Sequence, residues 1–206
     1  MDTDFLSANY WDERYRQKQT GWDIGYVSTP LKEYIDQLTN KNARILIPGA
    51  GNSYEAVYLA TQGFTDTTIV DISPVLTQAL REKITAASYP AVKIINSDFF
   101  LLEGQYDLII EQTFFCAIDP SLRKKYVEKV KALLAGNGKL AGVLFNREFD
   151  THPPFGGHTE EYRQLFSSGL RIKVLENCIN SIPARAGTEL FLIVENDVAN
   201  DTVPIL

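Results

Sequence analysis

The chain has 206 residues, 45% of them hydrophobic and 22% charged, an ordinary globular composition that excludes fibrous and disordered classes. Its formal net charge of −6 and pI of about 5.0 argue against a nucleic-acid partner, because phosphate neutralisation supplies most of that affinity. No apolar run approaches the ~20 residues that span a bilayer, and MDTDFLSANYWDERY lacks the basic start and apolar centre of a secretion signal; a cytoplasmic single domain over residues 1–206 is expected, with no membrane partner, and nothing in the sequence demands more than a monomer.

The first 42 residues hold no strand pattern. They carry the aromatic segment NYWDERYRQKQTGWDIGYVSTP and then an amphipathic helix around Leu31 to Leu38. Trp11 and Tyr15 are four apart and so share one helix face. From Ala43 onward apolar runs alternate with helical patterns. RILI (44–47), TTIVDI (67–72), AVKII (91–95), YDLIIE (106–111) and KLAGVLF (139–145) read as strands covered on both faces. Helices are predicted over Tyr54–Gln62, Pro74–Ala87, Pro120–Ala135 and about Thr159–Ser167. Ser73 is the predicted N-cap of the second, with Pro74 at its first position. Gly136-Asn137-Gly138 is predicted to end the third helix and feed the next strand. RIKVLENCIN (171–180) and ELFLIVEN (189–196) are joined by SIPARAGT without a helix, so they should pair antiparallel at a sheet edge. The fold class is α/β: a mostly parallel sheet with right-handed crossovers.

Neither cysteine belongs to a C-x-x-C pattern, which disfavours a thiol–zinc site. Cys116, inside TFFCAI, is expected to be a buried structural thiol. His152 and His158 bracket a Pro-Pro-Phe-Gly-Gly loop without a companion at ligand spacing, so no metal site is expected.

The turn between the first strand and its helix, IPGAGNSYEA, holds the functional signal. A phosphate loop would need a lysine after its second glycine, and none follows Gly51. A dinucleotide turn needs a third glycine where Tyr54 stands, and Glu55 in the first helical turn would repel a pyrophosphate. Two glycines without a phosphate suit a nucleoside carrying an amino-acid tail. Asp71, 20 residues after Gly51 at the end of the second strand, lies where an acid grips ribose hydroxyls. Asp98, after the third strand, can accept from an adenine amine while Phe99 covers the ring. Together these strand ends describe S-adenosyl-L-methionine (SAM), the expected cofactor; caps on following turns are the plainer reading of both acids. A sulfonium attracts aromatic faces, and the N-terminal arm supplies Tyr10, Trp11, Tyr15, Trp22 and Tyr26 as a water-excluding lid, or else as a staple pinning the arm.

At this point the chain resembles a known family. YWDERYRQKQTGWDIGYVSTPL, IPGAGNSYEAVYLA, VDISP, SDFF, YDLIIEQTFFCAIDPSLRKKYV and NSIPARAGTELF are similar to the thiopurine S-methyltransferase family, closest to its thiol and halide branch. The resemblance implies a seven-stranded, Rossmann-like class I methyltransferase sandwich and a methyl transfer from SAM to a small soft nucleophile such as a thiopurine, aromatic thiol, bisulfide or halide. It implies cofactor contacts at Trp11, Tyr15, Trp22, Gly49, Gly51, Asp71, Ile72, Asp98, Phe99 and Gln112. It places Phe114, Phe115, Arg123 and Phe155 on the acceptor side, Arg123 steadying an anionic nucleophile or a carboxylate. Gln112 stands where the family often has an aromatic residue, and THPPF lacks the usual glycine before its prolines. An in-line displacement by an anion demands no general base, and the sequence offers none. O- or N-methylation of a small metabolite, and SAM binding without turnover, remain alternatives.

Overall fold

In the computed structural model, described over residues 5–196, the apolar runs assemble into one sheet. Residues 1–4 and 197–206 of the expected domain lie outside the described residues. The strands are β1 (Arg44–Pro48), β2 (Asp66–Asp71), β3 (Val92–Asn96), β4 (Tyr106–Gln112), β5 (Leu134–Phe145), β6 (Arg171–Asn177) and β7 (Glu189–Glu195). Their order is β3-β2-β1-β4-β5-β7-β6. The first five pair in parallel, and β7 inserts antiparallel between β5 and the edge strand β6. The predicted hairpin edge is present, and the sheet has the seven strands that the resemblance implies.

The described residues form six α-helices around the sheet: α1 (Ala8–Arg16), which packs on α4, α2 (Thr29–Asp36), α3 (Tyr54–Thr61), α4 (Pro74–Ala86), α5 (Arg123–Leu133) and α6 (Thr159–Ser167). Side chains alternate across a strand, so β1 serves two cores. Leu46 joins the cluster under α5 and α6 with Val127, Val130 and Phe166. Ile45 and Ile47 join the other, with Leu31, Leu59 and Leu80 from α2, α3 and α4. Each such side chain taken fully out of water contributes roughly 1.5–3 kcal/mol; Leu31 and Ile35, both at 0% exposure, fasten α2 to the sheet this way.

The third predicted helix is shorter than its pattern, and the glycine turn does not end it. Asp119 caps a 3-10 turn over Pro120–Leu122, its Oδ1 accepting from the Ser121 amide at 2.8 Å. The α-helix begins only at Arg123, and β5 starts straight after it at Leu134. Gly136-Asn137-Gly138 falls inside the strand as a bulge: Tyr106 pairs with Leu134, but Leu108 pairs with Lys139. Asn137 takes φ +62 there, a left-handed conformation that asparagine tolerates better than most residues. The turn residues bend the strand rather than precede it.

Candidate cofactor and acceptor site

The carboxyl ends of β1, β2, β3 and β4 open into a cavity of 720 Å³, roofed by the N-terminal arm and by segments following β4, β5 and β6. Open α/β sheets bind ligands at this edge, and the volume suits a small-molecule site.

At the end of β1, Gly49 and Gly51 take φ +55 and +51. A Cβ on Gly49 would fall 2.1 Å from Cδ2 of Phe114, so only glycine admits that ring. Tyr54, which excludes a dinucleotide turn, has a use of its own. Its hydroxyl donates to Asp23 at 3.3 Å, and the Asn52 amide donates to the same carboxylate oxygen. The glycine turn is thus tied to the arm. Ser53 Oγ and Gln112 Oε1 are buried without a hydrogen-bond partner among the described residues, and both residues line the cavity. Two orphaned polar atoms over a glycine cradle fit a ligand with polar groups of its own.

Asp71 and Asp98 both line the cavity, and both also cap the turns that follow them. Asp71 Oδ1 accepts from the Ser73 amide and Asp98 Oδ1 from the Phe100 amide, each at 2.8 Å. Burial pushes the Asp71 carboxyl up to about 6, against the lowering effect of the Ser73 and Ile72 amides. Ile72 lies beside it on the lining. Phe99, 4% exposed, borders the cavity but belongs mainly to the core, with Phe114 and Tyr126 at centroid distances of 5.3 and 5.4 Å.

The arm brings its aromatic residues together over this end. Trp22 meets Trp11 and Tyr15 edge-on at 5.6 and 5.9 Å, and all three line the cavity. Burial and the nearby Asp71 and Asp23 carboxylates push the Tyr15 hydroxyl far up, so it stays neutral. Helix α1 is held by Asp12, 4% exposed. Its Oδ1 accepts from the Ser73 hydroxyl and, at 3.1 Å, from the Val75 amide at the start of α4.

The other end of the cavity has a different lining: Phe114, Cys116, Ile118, Phe145, Phe149, Pro153 and Pro154, with Asp119, Arg147 and Arg185. Arg185 donates to the Trp22 carbonyl at 2.9 Å, pairs with buried Glu189 at 3.4 Å and lies over the Phe145 ring. Arg147 is exposed, lies over the Phe149 ring, and among the described residues its side chain donates only from Nε, to the Glu148 carbonyl. The sequence reading singles out neither arginine; the PARAG tail was usable there only as part of a pattern. Asp23 and Asp12 carried no signal either, since their partners lie far along the chain.

Three acceptor-side expectations land elsewhere. Arg123 is 6% exposed and outside the lining. It pairs with Glu161 at 2.5 Å, donates to the Gly156 carbonyl at 2.7 Å and lies over Phe115. It anchors the 147–157 loop and presents no free guanidinium to the cavity. Phe115, 1% exposed, is core. Phe155 stacks on His152 at 4.7 Å, and Pro153 and Pro154 reach the cavity instead. Cys116 is buried as expected but does line the cavity. Its thiol donates to the Thr113 carbonyl, and burial with the nearby Glu111 charge pushes it up to about 12, so it is no nucleophile.

Comparison with known proteins agrees with this geometry. The chain is 27% identical over 165 residues to the probable thiol methyltransferase 2 of Arabidopsis thaliana, covering 77% of this chain and 72% of that protein. It is 24% identical over 196 residues to the thiopurine S-methyltransferase of Acinetobacter baylyi, covering 83% and 88%. It is 27% identical over 187 residues to thiocyanate methyltransferase 1 of Brassica oleracea, covering 87% and 81%. Among solved structures, the 1,6-didemethyltoxoflavin-N1-methyltransferase of Burkholderia thailandensis, with S-adenosylhomocysteine bound, shares the fold at TM-score 0.74 and 16% identity, covering 91% of this chain and 86% of that one. The thiopurine S-methyltransferase family profile matches residues 6–189. The chain belongs to the thiopurine S-methyltransferase family and is a SAM-dependent methyltransferase.

Proposed function

We propose that the acceptor is a small soft nucleophile that arrives as an anion, a thiolate or a halide-like ion, and that it binds at the end of the cavity carrying Arg147 and Arg185. The observation that carries this reading is the chemistry of that end. Phe114, Phe145, Phe149 and the two prolines form an apolar wall suited to a polarisable atom; the exposed Arg147 supplies positive charge, and Arg185, paired with Glu189, stands beside it. Asp119, the carboxylate there, is held below its ordinary range by hydrogen bonds from Ser121, which makes it a poor proton acceptor. A neutral alcohol or ammonium would find little help. The names of the thiol, thiopurine and thiocyanate methyltransferases support the same class.

SAM, when bound, supplies an electrophilic methyl group on a sulfonium. Gly49, Gly51, Asp71, Ile72, Asp98, Phe99 and Gln112 are assigned to holding its nucleoside and amino-acid parts, and Trp11, Tyr15 and Trp22 to excluding water around the sulfonium. The described part of the first 42 residues, from position 5, is assigned as an arm of a single catalytic domain. The chain's contribution is to hold two reactants in line and dry, an effect that can be worth roughly 7–11 kcal/mol. Among the described residues no helix is long and apolar enough to cross a membrane, which is compatible with the expected cytoplasmic setting.

The test is release of S-adenosylhomocysteine from SAM with a panel of thiophenol, bisulfide, iodide, thiocyanate, catechol and a primary amine. Turnover should be confined to the sulfur and halide acceptors. Faster turnover of catechol or the amine would overturn the proposal.

A further inference from the structure

Glu111 sits in β4, 1% exposed, and is not among the residues lining the cavity. A carboxylate this deep is costly to bury unless it is well bonded, and the surroundings are built for it. Across the ladder it faces Gly142 of β5, where a Cβ would fall 2.5 Å from the Cβ of Glu111. Its Oε1 accepts from the Phe114 and Phe115 amides at 2.8 and 2.9 Å, and its Oε2 from the Tyr126 hydroxyl of α5 at 2.8 Å. Burial pushes its carboxyl up to about 7, and these donors pull the other way. No ion pair joins it among the described residues.

Both amides belong to a turn that needs holding. Thr113, between β4 and Phe114, takes φ +59, a conformation that costs a β-branched residue of order 1–3 kcal/mol. Phe114 rides on this turn. Its ring fills the space that a side chain at Gly49 would need and packs on Phe99 at 5.3 Å. Phe114 therefore borders the glycine turn, Phe99 and the acceptor wall at once.

We infer that Glu111 is a positioning residue: its carboxylate fixes the strained turn at Thr113 so that Phe114 fills the gap between Gly49 and Phe99, where the cofactor and acceptor ends of the cavity meet. The inference rests on the methyl-transfer reading above. Hydrogen bonds from two successive amides to one oxygen hold successive peptide planes in a fixed relation. The Tyr126 bond ties the same carboxylate to α5, so the turn cannot tilt as a unit. A carboxylate that served only the general stability of the core would not need to meet consecutive amides beside the cavity.

The experiment compares Glu111→Ala, Glu111→Gln and Tyr126→Phe with Val130→Ala, a core truncation on α5 away from the turn. Each is measured for melting temperature, for S-adenosylhomocysteine affinity by calorimetry, and for kcat and KM with thiophenol well below melting. Glu111→Ala should lose ~10- to 100-fold in kcat and bind S-adenosylhomocysteine more weakly, as a small misplacement of reacting groups does. Glu111→Gln keeps an oxygen for the two amides and should stay within about fivefold of wild type. Tyr126→Phe should fall between them. Val130→Ala should melt earlier with kcat unchanged. Equal kcat losses in Val130→Ala and Glu111→Ala at matched destabilisation would overturn the inference. So would a glutamine variant as impaired as the alanine one. If Glu111→Ala does not fold, the glutamine and phenylalanine variants decide: kcat in Tyr126→Phe equal to wild type would overturn it. Wild type that binds no S-adenosylhomocysteine would instead sink the methyl-transfer reading itself.

Discussion

The two ends of the cavity are built by different means. At the cofactor end, the functional groups stand on or just after strand ends: Gly49 after β1, Asp71 at the end of β2, Asp98 after β3 and Gln112 at the end of β4. Their backbone positions are set by the ladder, and the two acids are further fixed by bonds to amides two residues on. At the acceptor end, the lining comes from the 113–119 turn, the 145–154 segment and the 184–188 loop. These are placed by side-chain clasps such as Arg123 on Glu161 and Gly156, and Arg185 on Glu189 and Trp22. The charged groups differ as well: Asp23, Asp71 and Asp98 stand at one end, and Arg147 and Arg185 with Asp119 at the other. A scaffold of strands suits a constant reactant, and loops held by side chains suit one that can change.

That contrast can be tested by substitutions at each end, read for cofactor and for acceptor separately. The largest effect is expected for Gly49→Ala. The added carbon would collide with Phe114 and demand φ +55 of an alanine, and S-adenosylhomocysteine affinity should fall by ~100-fold or more, as read by calorimetry. Next is Arg185→Gln, which should lower kcat/KM for anionic thiols by ~10- to 50-fold. Cofactor affinity should change far less, and an equal loss in both would mean that the two ends are one unit.

A pH titration separates the ends in a third way. The carboxyl of Asp71 sits at about 6, raised by burial, so it takes up a proton as pH falls through that value. Cofactor affinity should then drop ~10-fold between pH 7.5 and 5, in proportion to the remaining carboxylate. In Asp71→Asn that pH dependence should shrink, with only the contribution of Glu111, whose carboxyl burial pushes up to about 7, remaining. The sign for the ligand-free fold is opposite. Because the folded value exceeds the unfolded one, acidification from pH 6 toward 4 removes a buried charge and adds stability from this group. The smallest effect is expected for Arg147→Ala at the exposed mouth: about threefold in acceptor KM, with cofactor affinity unaltered.

The same division explains what was legible in the sequence. Strands of a parallel sheet buried on both faces write themselves as apolar runs, and the glycine turn and the strand-end acids have fixed places after them, so Gly49, Gly51, Asp71 and Asp98 could be picked out by spacing as residues that line one cavity. Arg123 was misplaced because the resemblance puts it on the acceptor side, whereas its partner Glu161, 38 residues away, draws it into the wall of the fold. Arg147 and Arg185 sit in loops whose course depends on tertiary contacts, and Glu111 looks like any strand end until Gly142 and Tyr126 are seen around it. The bulge in β5 was hidden for a related reason: Gly136-Asn137-Gly138 spells a turn, and only pairing with β4 shows the turn to lie within a strand.

The clasp between Asp12 and Ser73 has a consequence for anyone wishing to open the cavity by trimming the arm. Asp12 reaches the first turn of a helix whose cap lies 61 residues further along the chain, and Ser73 shares that duty by accepting from the Leu76 amide. A helix that loses such a partner gives up ~1 kcal/mol and frays from that end. Shortening the chain before α2 would therefore unwind part of the wall along with the roof, and the product would report on a loosened β2–α4 corner rather than on an uncovered pocket.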